Sequence, residues 1–419
     1  MVEEAYVIGD LHLGAGRGDP LEDFDQDDAL AAFVDSIAGE GRLLVVNGDL
    51  IDFVQIAPFE VPAAAHLLWN EEASVQKLEV AVKAHRAVFN AFGRFVEAGG
   101  RLAIVIGNHD LDFWWGEVQR HTREAISRAH GERVEFHNGS LDYHGVVIEH
   151  GHRFTPENCP RDFLRFVHIE GEVAYLERVW GTDFMLQFYN DLERRYPFAD
   201  NVKPMLRVVW HGLRKGWIGG REIVRLLLFL KKRGVPWAGL SSSLLDGPPV
   251  DPGVVMGAFA DPEWQRLLCE RASDLRFQRE LREALAALPA REQQVVGTAE
   301  QVTLGFVGEQ KTEATLGLVR DDRELRAARE VLKRAGVSHA VFGHTHEVID
   351  GKLDGCLFNP GTWLPCLDLA SPKVQDKVKA AGGLSLEMLD DASLYVIERR
   401  AVRVVAEGAS PARVELLTV

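Results

Sequence analysis

Apolar runs punctuated by polar clusters give the first picture of the chain. Residues 5–9, 43–47 and 102–106 are almost continuously apolar, as strands buried on both faces require. Between them, residues 28–37 and 71–98 carry apolar positions at helical spacing, the second as one long helix. Strand, helix, strand, helix, strand predicts an α/β sheet. A further helix is predicted from 116 to about 130, then short strands at 133–137, 140–143 and 145–149.

From about 155 to 320 strand alternation largely vanishes and helical periodicity rich in aromatics takes over. Pro236, Pro248, Pro249, Pro252 and Gly253 break it into helical groups. Residues 289–318 carry no readable pattern. The α/β character returns with a helix at 321–335 and strands at 338–342, 346–350, 355–358, 393–399, 401–406 and 412–418. The expectation is one discontinuous α/β domain, residues 1–155 and 320–419, interrupted by a mainly helical insert or cap at 156–319.

Composition narrows the class. The chain has 419 residues, 46% hydrophobic and 26% charged, enough to bury a large core without disulfide staples. Four cysteines form no C-x-x-C pair, as for idle thiols in a reducing compartment. The first residues lack a basic n-region and a long apolar h-region. The longest apolar stretch, residues 223–230, includes Arg225 and is far short of the roughly 20 residues of a spanning helix. These features predict a soluble, cytoplasmic protein.

The net charge of −16 disfavours generic nucleic-acid binding, which depends on cationic contacts to phosphate. One segment reverses the sign. Residues 203–237 hold nine cations against Glu222 alone, interleaved with Trp210, Trp217, Phe229 and Trp237. Three readings stay open: a buried helix with a solvated basic face, contact with a membrane surface or anionic lipid, and binding of a single-stranded nucleic acid.

Five polar clusters follow apolar runs directly: Asp10-Leu-His12, Gly48-Asp49-Leu-Ile-Asp52, Gly107-Asn108-His109-Asp110, His150-Gly-His152 and Gly343-His344-Thr-His346. Each alone is unremarkable as a turn or helix cap. Together, at strand ends where α/β sheets build their sites, they form a donor set of carboxylate, amide and imidazole without thiolate. Such donors suit Mn²⁺, Fe or Zn²⁺. Two such ions bridged by a carboxylate would match the charge of a phosphate ester.

This series resembles the calcineurin-like metallophosphoesterase superfamily over residues 1–155 and 320–419. The resemblance implies a two-sheet αββα sandwich, here with a large helical insert, and two divalent ions, Mn²⁺ foremost. It places one ion on Asp10, His12, Asp49 and His346, and the other on Asp49, Asn108, His150 and His344. A hydroxide bridging the ions would attack phosphorus. His109 would contact the phosphoryl group or protonate the leaving oxygen, with Asp110 orienting it. Asp52 has two readings, an orienting carboxylate behind the ligands or a plain surface residue. Arg153, Asn158 and Arg161 follow His150 and are candidate substrate contacts.

The segments 48–53, 107–115 and 149–158 look most similar to the UDP-2,3-diacylglucosamine hydrolase-like branch. That branch carries Arg where this chain has His109. The implied substrate is a small or lipid-linked phosphoester or pyrophosphate; peripheral membrane contact through 203–237 stays one of the three readings of that segment. Two rivals stand beside it: a metal-dependent nuclease acting on single strands, and a non-catalytic protein that binds metal and a partner.

Overall fold

The apolar runs become strands of two stacked sheets in the computed structural model, which describes residues 2–57, 69–154, 158, 167–196, 201–203, 273–276, 323–408 and 411–419. Strands β1 (Val2–Ile8), β2 (Leu43–Asn47), β3 (Arg101–Val105) and β4 (Val134–His137) run parallel in that order. The second sheet begins with the antiparallel pair β5 (Ser140–Tyr143) and β6 (Val146–Glu149). Next in the chain come a hairpin, β7 (Val167–Glu170) with β8 (Val173–Leu176), and the short β9 (Val202–Lys203). Later in the chain, β10 (His339–Val341) adds parallel to β6, and β12 (Leu357–Pro360) parallel to β10. β11 (Val348–Gly351) closes that edge antiparallel to β12. Finally β13 (Leu367–Asp368) pairs with β9, while β14 (Arg400–Glu407) and β15 (Arg413–Thr418) complete the first sheet antiparallel beside β1.

Period-two alternation explains the layering. Ala5, Val7, Leu43, Val45, Ala103 and Val105 point inward and meet Val146, Ile148, Val341 and Phe358 of the second sheet. Their neighbours Tyr6, Ile8, Leu44, Val46, Leu102 and Ile104 point outward, into a core shared with the helices α1 (Asp27–Ser36), α2 (Glu71–Ala84), α3 (Arg86–Glu97) and α4 (Gly116–Ile126). On the far side, Val147, Ala340, Phe342 and Leu357 pack on Ala327, Ala328 and Val331. The result is an αββα sandwich.

The structure departs from the periodicity reading in three places. The helix predicted over 71–98 is two helices, because His85 leaves helical geometry (φ −105°, ψ 38°) and binds Glu22 and Asp27. The hairpin β7–β8 interrupts a region read as helical. Its Val-His-Ile-Glu alternation and Gly171, at φ +62°, make a strand and its turn, but over too few residues to stand out among aromatics. The strand predicted at 393–399 is a 3₁₀ turn, Ala392–Leu394, followed by a single bridge from Val396 to Cys366. Between β13 and that turn lie helices α8 (Pro372–Ala380) and α9 (Leu386–Leu389), which close a small core of Val202, Leu367, Val374, Leu389 and Leu394; Arg323–Leu332, the helix behind the second sheet, is α7. Residues 289–318 and nearly all of 203–237 lie outside the described residues. Among the described residues, no helix is long and apolar enough to cross a membrane.

Candidate metal centre

The five clusters all emerge at the same end of the two sheets. Asp10 and His12 follow β1, Asp49 and Asp52 follow β2, and Asn108 and His109 follow β3. His150 follows β6, and His344 and His346 follow β10. Backbone bonds lock the loops together: His12 N donates to Asp49 O at 2.8 Å, and Gly343 N to His150 O at 3.0 Å. Eight described non-glycine residues have positive φ, and five are Asp10, His12, Asp49, His344 and His346. A left-handed conformation costs such residues roughly 1–2 kcal/mol each, and strain of this kind concentrates at functional sites. Glycines let the loops approach. A Cβ on Gly48 would lie 2.2 Å from His150 Nδ1, and one on Gly107 2.1 Å from Asp49 Oδ1.

Side chains then converge in two groups. Asp10, His12 and His346 bring ligand atoms within 4.8 Å of one another, as do Asp49, His150 and His344. His12 Nε2 faces His346 Nε2 at 3.2 Å, and His346 Nε2 faces Asp10 Oδ1 at 3.4 Å. His150 Nε2 lies 3.1 Å from Asp49 Oδ2 and 3.2 Å from Asn108 Oδ1. Asp49 also lies 3.6 Å from His12 Nε2, so its carboxylate stands between the groups.

Two of these histidines are aimed by their other nitrogen. His150 donates Nδ1–H to Asn47 O at 2.8 Å, and His12 donates Nδ1–H to Asp52 Oδ2 at 3.1 Å. Both rings therefore turn Nε2 toward the carboxylates, the nitrogen that would bind metal once it gives up its proton. Asp10 accepts from His344 N with both oxygens, at 3.0 and 3.1 Å.

The electrostatics call for a cation. Asp10 and Asp49 are buried, yet neither gathers a lysine or arginine among the described ion pairs. Burial resists ionisation, but the His150 imidazole holds Asp49 well below the usual carboxylate range, and His150 with His346 lowers Asp10. Burial pulls His150 down, but the charges of Asp49 and Asp10 outweigh it and push it up to about 9. Imidazoles are being drawn in as counter-charge where a divalent ion would serve better. The donor set fits such ions.

A third group lies alongside. Asp52 is buried, and its Oδ2 also accepts from His109 Nδ1 at 2.8 Å. Asp52 is thus an orienting carboxylate, and its surface reading is excluded. Asp110 was expected to orient His109, and the structure corrects this. Its oxygens accept from Gly107 N at 2.5 Å and Leu50 N at 2.7 Å, inside the loop junction. Burial and the nearby Asp49 charge push Asp110 up to about 7.

Of the candidate substrate contacts, Asn158 reaches the centre, with Nδ2 3.3 Å from His344 Nε2. Arg153, expected as a substrate contact, is engaged elsewhere. It is buried, with Nε and Nη2 on Glu149 Oε1 at 3.0 and 2.6 Å. Arg161 lies outside the described residues. Sequence reasoning missed the support behind the Gly343–His346 turn. Glu324 of α7 accepts from Thr345 Oγ1 at 3.0 Å and Asn359 Nδ2 at 2.9 Å, and Thr362 Oγ1 donates to Asp10 O at 2.6 Å. The readable signal was Asn359-Pro-Gly-Thr362, a polar turn directly after apolar Leu357-Phe358.

The family model for calcineurin-like phosphoesterases matches residues 5–237, more than half the chain. The chain belongs to that family. Among curated proteins, no relative matches it. This phosphoesterase is therefore a metal-dependent phosphoric ester hydrolase, and its acidic and imidazole groups form a dinuclear divalent-metal site.

Proposed function

We propose that the enzyme hydrolyses a small or lipid-linked phosphoester or pyrophosphate, with two Mn²⁺ ions as the cofactor. The observation that carries this reading is the meeting of two ligand groups around Asp49 with His109 at their rim. Asp10, His12, Asp49 and His346 would hold one ion, and Asp49, Asn108, His150 and His344 the other. Bound there, the ions supply Lewis-acid charge to the phosphoryl oxygens and make water nucleophilic near neutral pH.

The remaining work falls to the chain. Asp52 fixes His109 through Nδ1, and in this reading Nε2 is the atom that faces substrate. As water oxygen bonds to phosphorus and the ester P–O bond breaks, His109 Nε2–H passes its proton to the leaving oxygen. Asn158, beside His344, contacts the phosphoryl group. Residues 1–155 and 320–419 form the catalytic domain in this reading, and 156–319 the cap that sets access. The basic, aromatic stretch 203–237 supports an amphiphilic anionic substrate and contact with a membrane surface.

The test compares p-nitrophenyl phosphate with bis-p-nitrophenyl phosphate, with Mn²⁺ and after chelation. A rate on either that chelation removes supports the reading, and the preferred ester gives the class. Asp49→Asn keeps a residue that tolerates the left-handed backbone while removing the shared charge. It should lose turnover and bound metal together. Near wild-type activity in that variant would overturn the two-ion assignment. Preference for single-stranded DNA over every small ester, abolished by salt, would replace this substrate class with a nuclease.

A further inference from the structure

The insert reaches the catalytic loop by a route that sequence alone does not show. Behind Asp52, Val54 N and Gln55 N both donate to Asp52 Oδ1 at 3.1 Å. This fixes the carboxylate whose other oxygen holds His109 and His12. Phe53 N donates to His109 O at 3.2 Å, so the two loops move as one. The Asp52–Gln55 turn is in turn held from outside. Glu193 Oε2 accepts from Gln55 Nε2 at 2.8 Å, and Asn190 Nδ2 donates to Val54 O at 3.3 Å.

Both outer residues belong to the short helix α6 (Asn190–Glu193). They stand three residues apart and so share a face. The chain enters α6 from α5 (Trp180–Phe184) through a π-helical turn, Met185–Tyr189, an irregularity common near functional sites. Glu193 is fully buried, and Asn190 and Gln55 nearly so. Burying a carboxylate is costly unless it is bonded, so its place against the Asp52 turn calls for an explanation. Val167, Ala174 and Leu176 of the hairpin pack in the core that also holds Phe53 and Ile56, which makes the base of the insert a firm support.

We propose that Glu193, with Asn190, is a positioning residue for His109, so that the insert sets the aim of the group that protonates the leaving oxygen. This rests on the reading of His109 given above. The path runs from Glu193 to Gln55, to the Asp52 carboxylate, to the imidazole.

The experiment measures kcat and KM for phenyl and p-nitrophenyl esters of whichever class the enzyme cleaves, together with metal content. Glu193→Leu should lower kcat about 10-fold, in the range seen when groups supporting a site are removed, with KM and bound metal little changed. The loss should be larger for the phenyl ester, whose leaving oxygen needs the proton more. Glu193→Gln retains a carbonyl acceptor for Gln55 and should recover most of the rate. Gln55→Leu should reproduce Glu193→Leu, and the double variant should add little, which keeps the test open if one variant folds poorly. His109→Ala is the reference. If it shows the leaving-group dependence and neither Glu193→Leu nor Gln55→Leu does, the inference is wrong while the role of His109 stands. An equal loss on both esters, or a loss that follows metal content, also overturns it. If His109→Ala itself shows no such dependence, the role of His109 falls and the inference falls with it.

Discussion

Two buried carboxylates near His109 show what a residue's partners decide. Asp52 and Asp110 are both nearly inaccessible to solvent, and the family resemblance had placed Asp110 behind His109. Successive residues of a tight turn point apart, so a neighbour in the chain need not meet the imidazole. Asp110 faces two backbone N–H groups, whereas Asp52 takes two imidazole N–H groups on one oxygen. Asp52→Asn would put an NH₂ where those imidazoles donate. Both rings would shift to the tautomer protonated on Nε2, which removes the lone pair with which His12 would bind an ion. Turnover should fall by about 100-fold or more, and Mn²⁺ should bind more weakly. Asp110→Asn leaves an amide among N–H donors, so it should lower the melting temperature more than it lowers kcat. Kinetics against Mn²⁺ concentration, beside thermal melts of both variants, separate the two. A more severe kinetic defect in Asp110→Asn than in Asp52→Asn would restore the original assignment. The residues of the two converging groups were legible because each stands directly after an apolar run. The supporting partners Asn47 and Thr362 were not, because they act across loops distant in sequence.

Elements were legible where burial is two-sided and illegible where a polar contact overrides periodicity. β1, β2 and β3 are nearly unbroken apolar runs and fall within a few residues of the expected limits. The break between α2 and α3 has no glycine or proline to announce it. It is made by His85, whose Nδ1 lies 3.0 Å from Asp27 of α1 and Nε2 3.2 Å from Glu22. Glu22 also accepts from Gly16 N and Phe24 N, so His85 pins the loop that follows the first metal motif. Burial lowers the affinity of this imidazole for a proton, but Asp27 and Glu22 outweigh it and raise the pKa to about 9 from an ordinary 6.5. The folded state therefore favours the protonated form. Its stabilisation is complete below about pH 6.5 and is lost as pH rises through about 9. Melting temperatures of the wild type and His85→Gln should differ most near pH 6 and converge above pH 9. A gap that widens with alkaline pH would contradict the ion triad.

At the scale of the molecule, the two sheets meet in a seam of opposite chemistry at its two depths. Inside, alternate apolar residues of both sheets interlock, and this was legible as period-two alternation. At the strand ends the same seam is lined by Asp10, Asp49 and Asn108 from the first sheet and by His150, His344 and His346 from the second. Without cations the buried carboxylates repel each other and the left-handed turns carrying them are strained. Divalent ions held there would tie one sheet to the other, so metal should stabilise the fold as well as run the chemistry. A ligand that binds only the folded state stabilises it by RT ln(1 + [L]/Kd), about 2.7 kcal/mol at a free concentration of 100 times Kd. For a chain of this size that is a rise of several degrees in melting temperature. Thermal melts in Mn²⁺ and in chelator should show that rise in the wild type. The increment should shrink sharply in Asp49→Asn, which lacks the shared carboxylate, and in His344→Ala, which removes a tie from the second sheet. Arg94→Ala breaks an exposed pair with Asp35, far from the strand ends, and should keep the full increment. If metal leaves the wild-type melt unchanged while activity still requires it, the ions serve the reaction alone and the sheets are joined by their apolar seam.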